Sequence, residues 1–278
     1  MQHRARISIS IAIILIIGLF LFLFLSTTGA FYFKMISAVA ATEKDDSVCP
    51  GSNKTSTHYK RWLLETKRTL GTMFKYNIES HEDECITDTL IMNTRSPVIY
   101  VINHPLLKFT LFDNIALCHL KRDHSITLLK HHYDMFPIAR QALDGSDPIL
   151  LRATNGTMAL SQQYRFFRDA CEKRFDSGQS VALFPERHAY GSNPFVLREL
   201  RSGAFRTSAE LGVPVVYVVA DPSVGTELCM ETTIFNLYVS RPYYATEFTN
   251  VDEFRKSIAH KMQMKLSDFN RNNSTLYK

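Results

Sequence analysis

Three short clusters in this 278-residue chain set side chains able to move a proton or hold an anion just after an apolar run. In the first, Val101-Ile102-Asn103-His104 ends a hydrophobic run in an imidazole, and Asp113 stands at the head of the next apolar segment. An imidazole there is either a proton acceptor working near neutral pH or an ordinary turn residue. In the second, Leu183-Phe184-Pro185-Glu186 places a carboxylate directly after an apolar run, as a site group or as a helix cap. In the third, Leu200-Arg201-Ser202-Gly203-Ala204-Phe205 leads through an amphipathic stretch into Val213-Pro214-Val215-Val216. Arg201 in that run is an anion ligand or a solvated surface charge.

The elements that must position these clusters are legible as an alternation of short apolar runs with helical patterns. Strands are expected at Val98 to Ile102, Ile126 to Leu129, Ile149 to Leu151, Ser180 to Phe184 and Val213 to Val219. Helices are expected at Tyr59 to Phe74, Leu111 to Leu120, Met158 to Phe175, Gly203 to Leu211 and Val251 to Phe269. The Tyr59 to Phe74 helix is amphipathic and basic, and either packs on the domain or rests on lipid headgroups. Continuous apolar strands alternating with helices predict an α/β domain with a largely parallel central sheet flanked by helices. In such sheets ligands bind beyond the carboxyl ends of the strands, where all three clusters fall.

The N-terminus carries a different signal. Ile7 to Phe33 holds no charged residue, and at about 1.5 Å per residue some twenty residues cross the hydrocarbon, so one N-terminal transmembrane helix is expected. We read a retained anchor over a cleaved signal peptide, although Ser37 to Ala41 are small enough to supply a cleavage site. Arg4 and Arg6 precede the span, whereas Lys34 and Lys44 follow it beside Glu43, Asp45 and Asp46, a bias that puts the N-terminus in the cytosol. The expected organisation is an anchor over 1–41, a polar linker over 42–56 and one α/β domain over 57–278. With 32 basic against 27 acidic residues the charge is too balanced for nucleic-acid binding, while the net +5 suits a phosphate-bearing ligand or an anionic membrane. Cys49, Cys85, Cys118, Cys171 and Cys229 are widely spaced and form no C-x-x-C pair, so neither a zinc site nor a dense disulfide framework is indicated. Asn53, Asn155, Asn272 and Asn273 begin glycosylation triplets, which matter only for a luminal domain.

The order of the clusters carries more than any one of them. Asn-His with a following Asp, Phe-Pro-Glu some eighty residues on, a basic-Gly-Ala-Phe helix and a Val-Pro-Val-Val strand together resemble the glycerolipid acyltransferase superfamily. That group includes the lysophosphatidic acid and glycerol-3-phosphate acyltransferases and tafazzin, and the resemblance covers about Ser96 to Ala220. It implies that His104 is the general base, that Asp113 orients its ring, and that Arg152 and Arg201 hold the acceptor phosphate. Glu186, Arg187 and Gly203 fall on the family's substrate-binding motifs, where the glutamate accepts hydrogen bonds from acceptor hydroxyls or braces the site. The implied reaction passes a fatty acyl group from acyl-CoA, as co-substrate, to a lysophospholipid hydroxyl, with no metal and no bound cofactor. The implied partners are acyl-CoA, a lysophospholipid-like acceptor and the bilayer, on the endoplasmic reticulum or another endomembrane. Two motifs diverge. His104 and Asp113 stand nine apart where the family has H-x4-D, read as a four-residue loop insertion, and Arg187-His188-Ala189 replaces the usual Gly-Thr-Arg. A non-catalytic relative that binds lipid or a partner through the same scaffold, or a hydrolase of the same ester or thioester, is the alternative.

Overall fold

The computed structural model describes residues 75–81, 96–104, 116–120, 122, 124–130, 147–151, 160–186, 193, 195–222 and 234–276. Seven strands among them form one sheet: β1 (Lys75–Ser80), β2 (Ile99–Ile102), β3 (His124–Leu129), β4 (Ile149–Leu151), β5 (Ser180–Leu183), β6 (Val215–Ala220) and β7 (Ile234–Val239). Their spatial order is β1, β7, β6, β2, β5, β3, β4. The five strands from β4 to β6 run parallel, β7 returns antiparallel to β6, and β1 pairs parallel with β7. Three long helices are described: α1 (Leu160–Asp176), α2 (Gly203–Leu211) and α3 (Val251–Leu276).

Burial explains why the central strands read as unbroken apolar runs. Ile99, Val101, Val181, Leu183, Val215, Tyr217 and Val219 join one core with the helices. Their alternates Tyr100, Ile102, Ala182, Val216, Val218 and Ala220 are also buried. Both faces of β2, β5 and β6 are therefore covered, and the β-branched side chains that fit a pleated surface fill them from either side. On the helix side, α3 buries Phe254, Ile258, Met262, Leu266 and Phe269, the spacing of a single helical stripe. α1 contributes Phe167 and Cys171 one turn apart, and Phe205 of α2 meets Phe254 edge to face at 5.3 Å. Each such buried side chain contributes roughly 1.5–3 kcal/mol relative to exposure. α2 stops at Gly212, whose φ of 67° is the left-handed conformation that a residue with a Cβ resists.

The expected elements that fall on described residues are present, with ends moved by one or two residues; the Gly203 to Leu211 helix and the Ile149 to Leu151 strand keep their bounds. The exceptions are the Leu111 to Leu120 helix, of which only a helical turn at 116–118 is described, and the Val251 to Phe269 helix, which runs on to Leu276. Two strands were not anticipated. β1 reads Lys-Tyr-Asn-Ile-Glu-Ser, with too few apolar residues to signal a strand, and it exists through its pairing with β7, 159 positions away at Asn77 and Asn236. β7 adds the antiparallel turn-back at that edge. The Tyr59 to Phe74 helix, the apolar span Ile7 to Phe33 and the linker at 42–56 lie outside the described residues. Among the described residues no helix is long and apolar enough to cross a membrane.

Candidate functional site

The carboxyl ends of β2 and β5 are neighbours, because Ile99, Tyr100 and Val101 pair with Val181, Ala182 and Leu183. His104 leaves the first strand two residues past its end and Glu186 leaves the second three residues past, so a sheet register set deep in the core brings the two together. The His104 backbone N–H donates to Glu186 Oε1 at 2.8 Å. The His104 ring lies against Phe184, centroids 5.1 Å apart and tilted by 42°. An imidazole placed by its backbone and by an aromatic wall has a restricted set of orientations, which is what a positioned base requires.

Glu186 is more than a neighbour. It is buried, and its second oxygen accepts the Arg198 backbone N–H at 2.9 Å. One carboxylate thus ties the His104 turn to a strap, 195–201, that runs antiparallel beside the β5 end. Glu186 bridges Leu200, and the Arg201 N–H donates to Pro185 O at 3.3 Å. Burial raises the Glu186 carboxyl above its ordinary value, against the opposing pull of the two backbone donors and the nearby His104 and Arg198 charges.

The strap is itself fastened to α3. Gln263 accepts the Leu197 N–H at 2.8 Å and donates to Phe195 O at 2.9 Å. Arg255 donates to Leu200 O at 2.9 Å while pairing with Glu199 and Asp252 at 2.8 and 2.7 Å. On the other side of His104, Asn103 locks β2 to β6. Its Nδ2 donates to Ala220 O at 3.0 Å and its Oδ1 accepts the Ala220 N–H at 2.7 Å, both buried. Asn103 and the His104 N–H are thus both held by side-chain to backbone hydrogen bonds where β2 ends.

Of the residues expected in the site, His104, Glu186, Arg201 and Gly203 are described and gather on one edge of the sheet. Arg201 is exposed, and Gly203 opens α2 with no described atom within 4 Å of where a Cβ would stand. Asp113, Arg152 and Arg187 lie outside the described residues. Both Glu186 oxygens accept a backbone N–H, one from His104 and one from Arg198. The Arg198 N–H and the Asn103 side chain join the site by bonds that the sequence does not announce. Nothing local signals either, since Glu186 and Ala220, which hold them, are 12 and 117 positions away.

Neither a scan against protein-family profiles nor a search of curated protein sequences finds a match. Among solved structures, the crystal structure of the 1-acyl-sn-glycerophosphate (LPA) acyltransferase PlsC from Thermotoga maritima superposes with a TM-score of 0.62. The likeness is one of fold. Sequence identity is 15%, and the match covers 88% of this chain and 95% of that one. The α/β architecture with its mostly parallel sheet is the arrangement that the alternation of apolar runs with helical patterns predicted.

Proposed function

We propose that this chain is a membrane-anchored acyltransferase that moves a fatty acyl group from acyl-CoA to the hydroxyl of a lysophospholipid. The observation that carries the reading is the meeting of the His104 backbone N–H with the Glu186 carboxylate at the carboxyl edge of a sheet whose fold is like that of an acyltransferase of that class. In the proposed step, His104 accepts the acceptor hydroxyl proton as the oxygen attacks the thioester carbonyl. The tetrahedral centre collapses with cleavage of the C–S bond, and the imidazolium returns its proton to the leaving thiolate. The thioester is already activated, so no covalent enzyme intermediate is required. Asp113 steadies the imidazolium in this scheme, and Arg201 and Arg152 hold the acceptor phosphate by charge-assisted hydrogen bonds. Ile7 to Phe33 keeps the domain at the bilayer that stores its acceptor.

A second reading follows from the two divergent motifs, the nine-residue His104 to Asp113 separation and Arg187-His188-Ala189 after Glu186. Under it the chain keeps the scaffold and binds lipid without chemistry. The test uses the full chain in vesicles with acyl-CoA and lysophosphatidic acid, following thiol release and labelled phosphatidic acid together. Equal release of both supports transfer. Thiol without acylated lipid turns the reading to hydrolysis, and neither product with any acceptor turns it to the non-catalytic relative.

A further inference from the structure

The apolar run of β6 ends in a carboxylate that the scheme above does not use. Asp221 follows Ala220 directly and is fully buried, one residue past the end of the strand that pairs with β2. Its Oδ2 accepts Asn236 Nδ2 at 2.8 Å, and its backbone N–H donates to Asn236 O at 2.9 Å. Asn236 Oδ1 in turn accepts Asn77 Nδ2 at 3.2 Å, so a row of amide side chains runs inward from β1. The peptide joining Ala220 to Asp221 is gripped from both sides: its N–H goes to Asn236 O, and its C=O takes Asn103 Nδ2 at 3.0 Å. Asn103 is the residue before His104, whose own N–H rests on Glu186. Hydrogen bonds at the two ends of one peptide polarise each other, so the hold on the Asn236 side strengthens the one beside the imidazole.

Strand register does not call for this acid. Val218, Val219 and Ala220 already pair with Val239, Tyr238 and Leu237, and taking a carboxylate out of water carries a cost that an apolar residue would not. We propose that Asp221 is a positioning residue for His104, acting through Asn236 and the peptide between Ala220 and Asp221 on the Asn103 clamp. This rests on the acyltransferase reading. The carboxylate needs no contact with substrate in this role. It fixes the peptide against which Asn103 sets the end of β2, and a base misplaced by about 1 Å loses roughly a hundredfold in rate. Loss of the hold therefore lowers kcat and leaves KM for either substrate in place.

The experiment measures kcat, both KM values and the thermal midpoint for Asp221→Ala, Asp221→Asn and Asn236→Ala, in the full chain in vesicles with acyl-CoA and lysophosphatidic acid. Ile258→Val, a change in the buried stripe of α3 away from these bonds, is the destabilised control. Asp221→Ala and Asn236→Ala each remove the contact, and kcat is expected to fall roughly ten- to hundredfold with both KM values within about twofold. Combining the two loses no more than either alone, because one contact links them. Asp221→Asn keeps an oxygen for the Asn236 amide and recovers most of the lost rate. Ile258→Val lowers the midpoint and keeps kcat. Asn236 is only half-buried, so Asn236→Ala decides the matter if Asp221→Ala does not fold. A kcat for Asn236→Ala within about threefold of an active wild type, a rise in KM in place of the fall in kcat, no recovery in Asp221→Asn, or an equal fall in Ile258→Val overturns the proposal and leaves the acyltransferase reading standing. Wild type inactive with every acceptor overturns both.

Discussion

At the scale of single residues, the imidazole and the carboxylate beneath it have separable tasks, and substitutions should separate them. His104 sits in a post-strand turn and contributes little to the core, so His104→Ala is expected to remove acyl transfer by ~10²–10⁴ while leaving the thermal midpoint close to wild type. A full phosphatidic acid yield from that variant would discard the general-base mechanism. Glu186 is the opposite case, because its two bonds are structural. Glu186→Gln keeps one oxygen acceptor but turns an NH₂ toward a backbone N–H, which should cost about 1–3 kcal/mol of stability. Its pH dependence has a definite sign. Burial raises the folded carboxyl above the ordinary value of 4.5, so between 4.5 and the raised value the folded chain holds a proton that the unfolded chain releases. The contribution of Glu186 is complete below 4.5 and is lost as pH rises through the folded value; the Gln variant lacks this slope. Denaturation at a series of pH values from 4 to 7 should show the stability advantage of wild type over Glu186→Gln shrinking across that window and then levelling. An advantage that grows with pH would mean that the backbone donors outweigh burial.

At the scale of elements, what the sequence made legible and what it hid follow from how local each signal is. α3 buries Phe254, Ile258, Met262, Leu266 and Phe269, a stripe written in consecutive turns, and β2 and β6 are continuous Val, Ile and Tyr because both of their faces are covered. β1 is polar and takes its form from a partner far along the chain, so no window of sequence announces it. The candidate site divides in the same way. His104 and Glu186 stand out as polar residues after apolar runs, whereas the Glu186 brace to Arg198 and the Asn103 clamp are long-range bonds to backbone. The clamp can be tested alone. Asn103→Ala leaves the Ala220 N–H and C=O buried without their partners, a loss of roughly 2–5 kcal/mol. Urea unfolding should show a lower midpoint at an unchanged slope. A loss under 1 kcal/mol would mean that β2 and β6 hold register without it. In α1, burial pushes the Cys171 thiol up to about 12. It should resist alkylation at pH 8 in the folded chain and react on unfolding, as peptide mass analysis can follow. Native-state labelling would place that face of α1 away from the core.

At the scale of the whole molecule, the reaction and the membrane set opposing demands on which side the domain occupies. The charges flanking Ile7 to Phe33 favour a cytosolic N-terminus and a domain across the membrane, since Arg4 and Arg6 stand alone before the span while Lys34 and Lys44 are interleaved with acids after it. Acyl-CoA is made and held in the cytosol, which favours the reverse orientation for a domain that consumes it. The charge bias amounts to two residues against two, and orientation follows Lys and Arg counts, to which the nearby acids contribute little. Donor supply, by contrast, is a requirement of the reaction. The acyltransferase reading therefore expects a cytosolic domain, with the chain resisting alkaline carbonate extraction and with Asn53, Asn155 and Asn273 unglycosylated. Asn155 is the informative position, as it follows the end of β4 by four residues in sequence. The measurement is an electrophoretic shift after glycosidase treatment of the chain expressed in a eukaryotic cell, with an Asn155→Gln control. A shift lost in that control would put the domain in the lumen and exchange acyl-CoA for a donor present there, such as a phospholipid. Release by carbonate would instead remove the anchor and leave the basic segment at 59–74 as the candidate for holding the domain to its lipid.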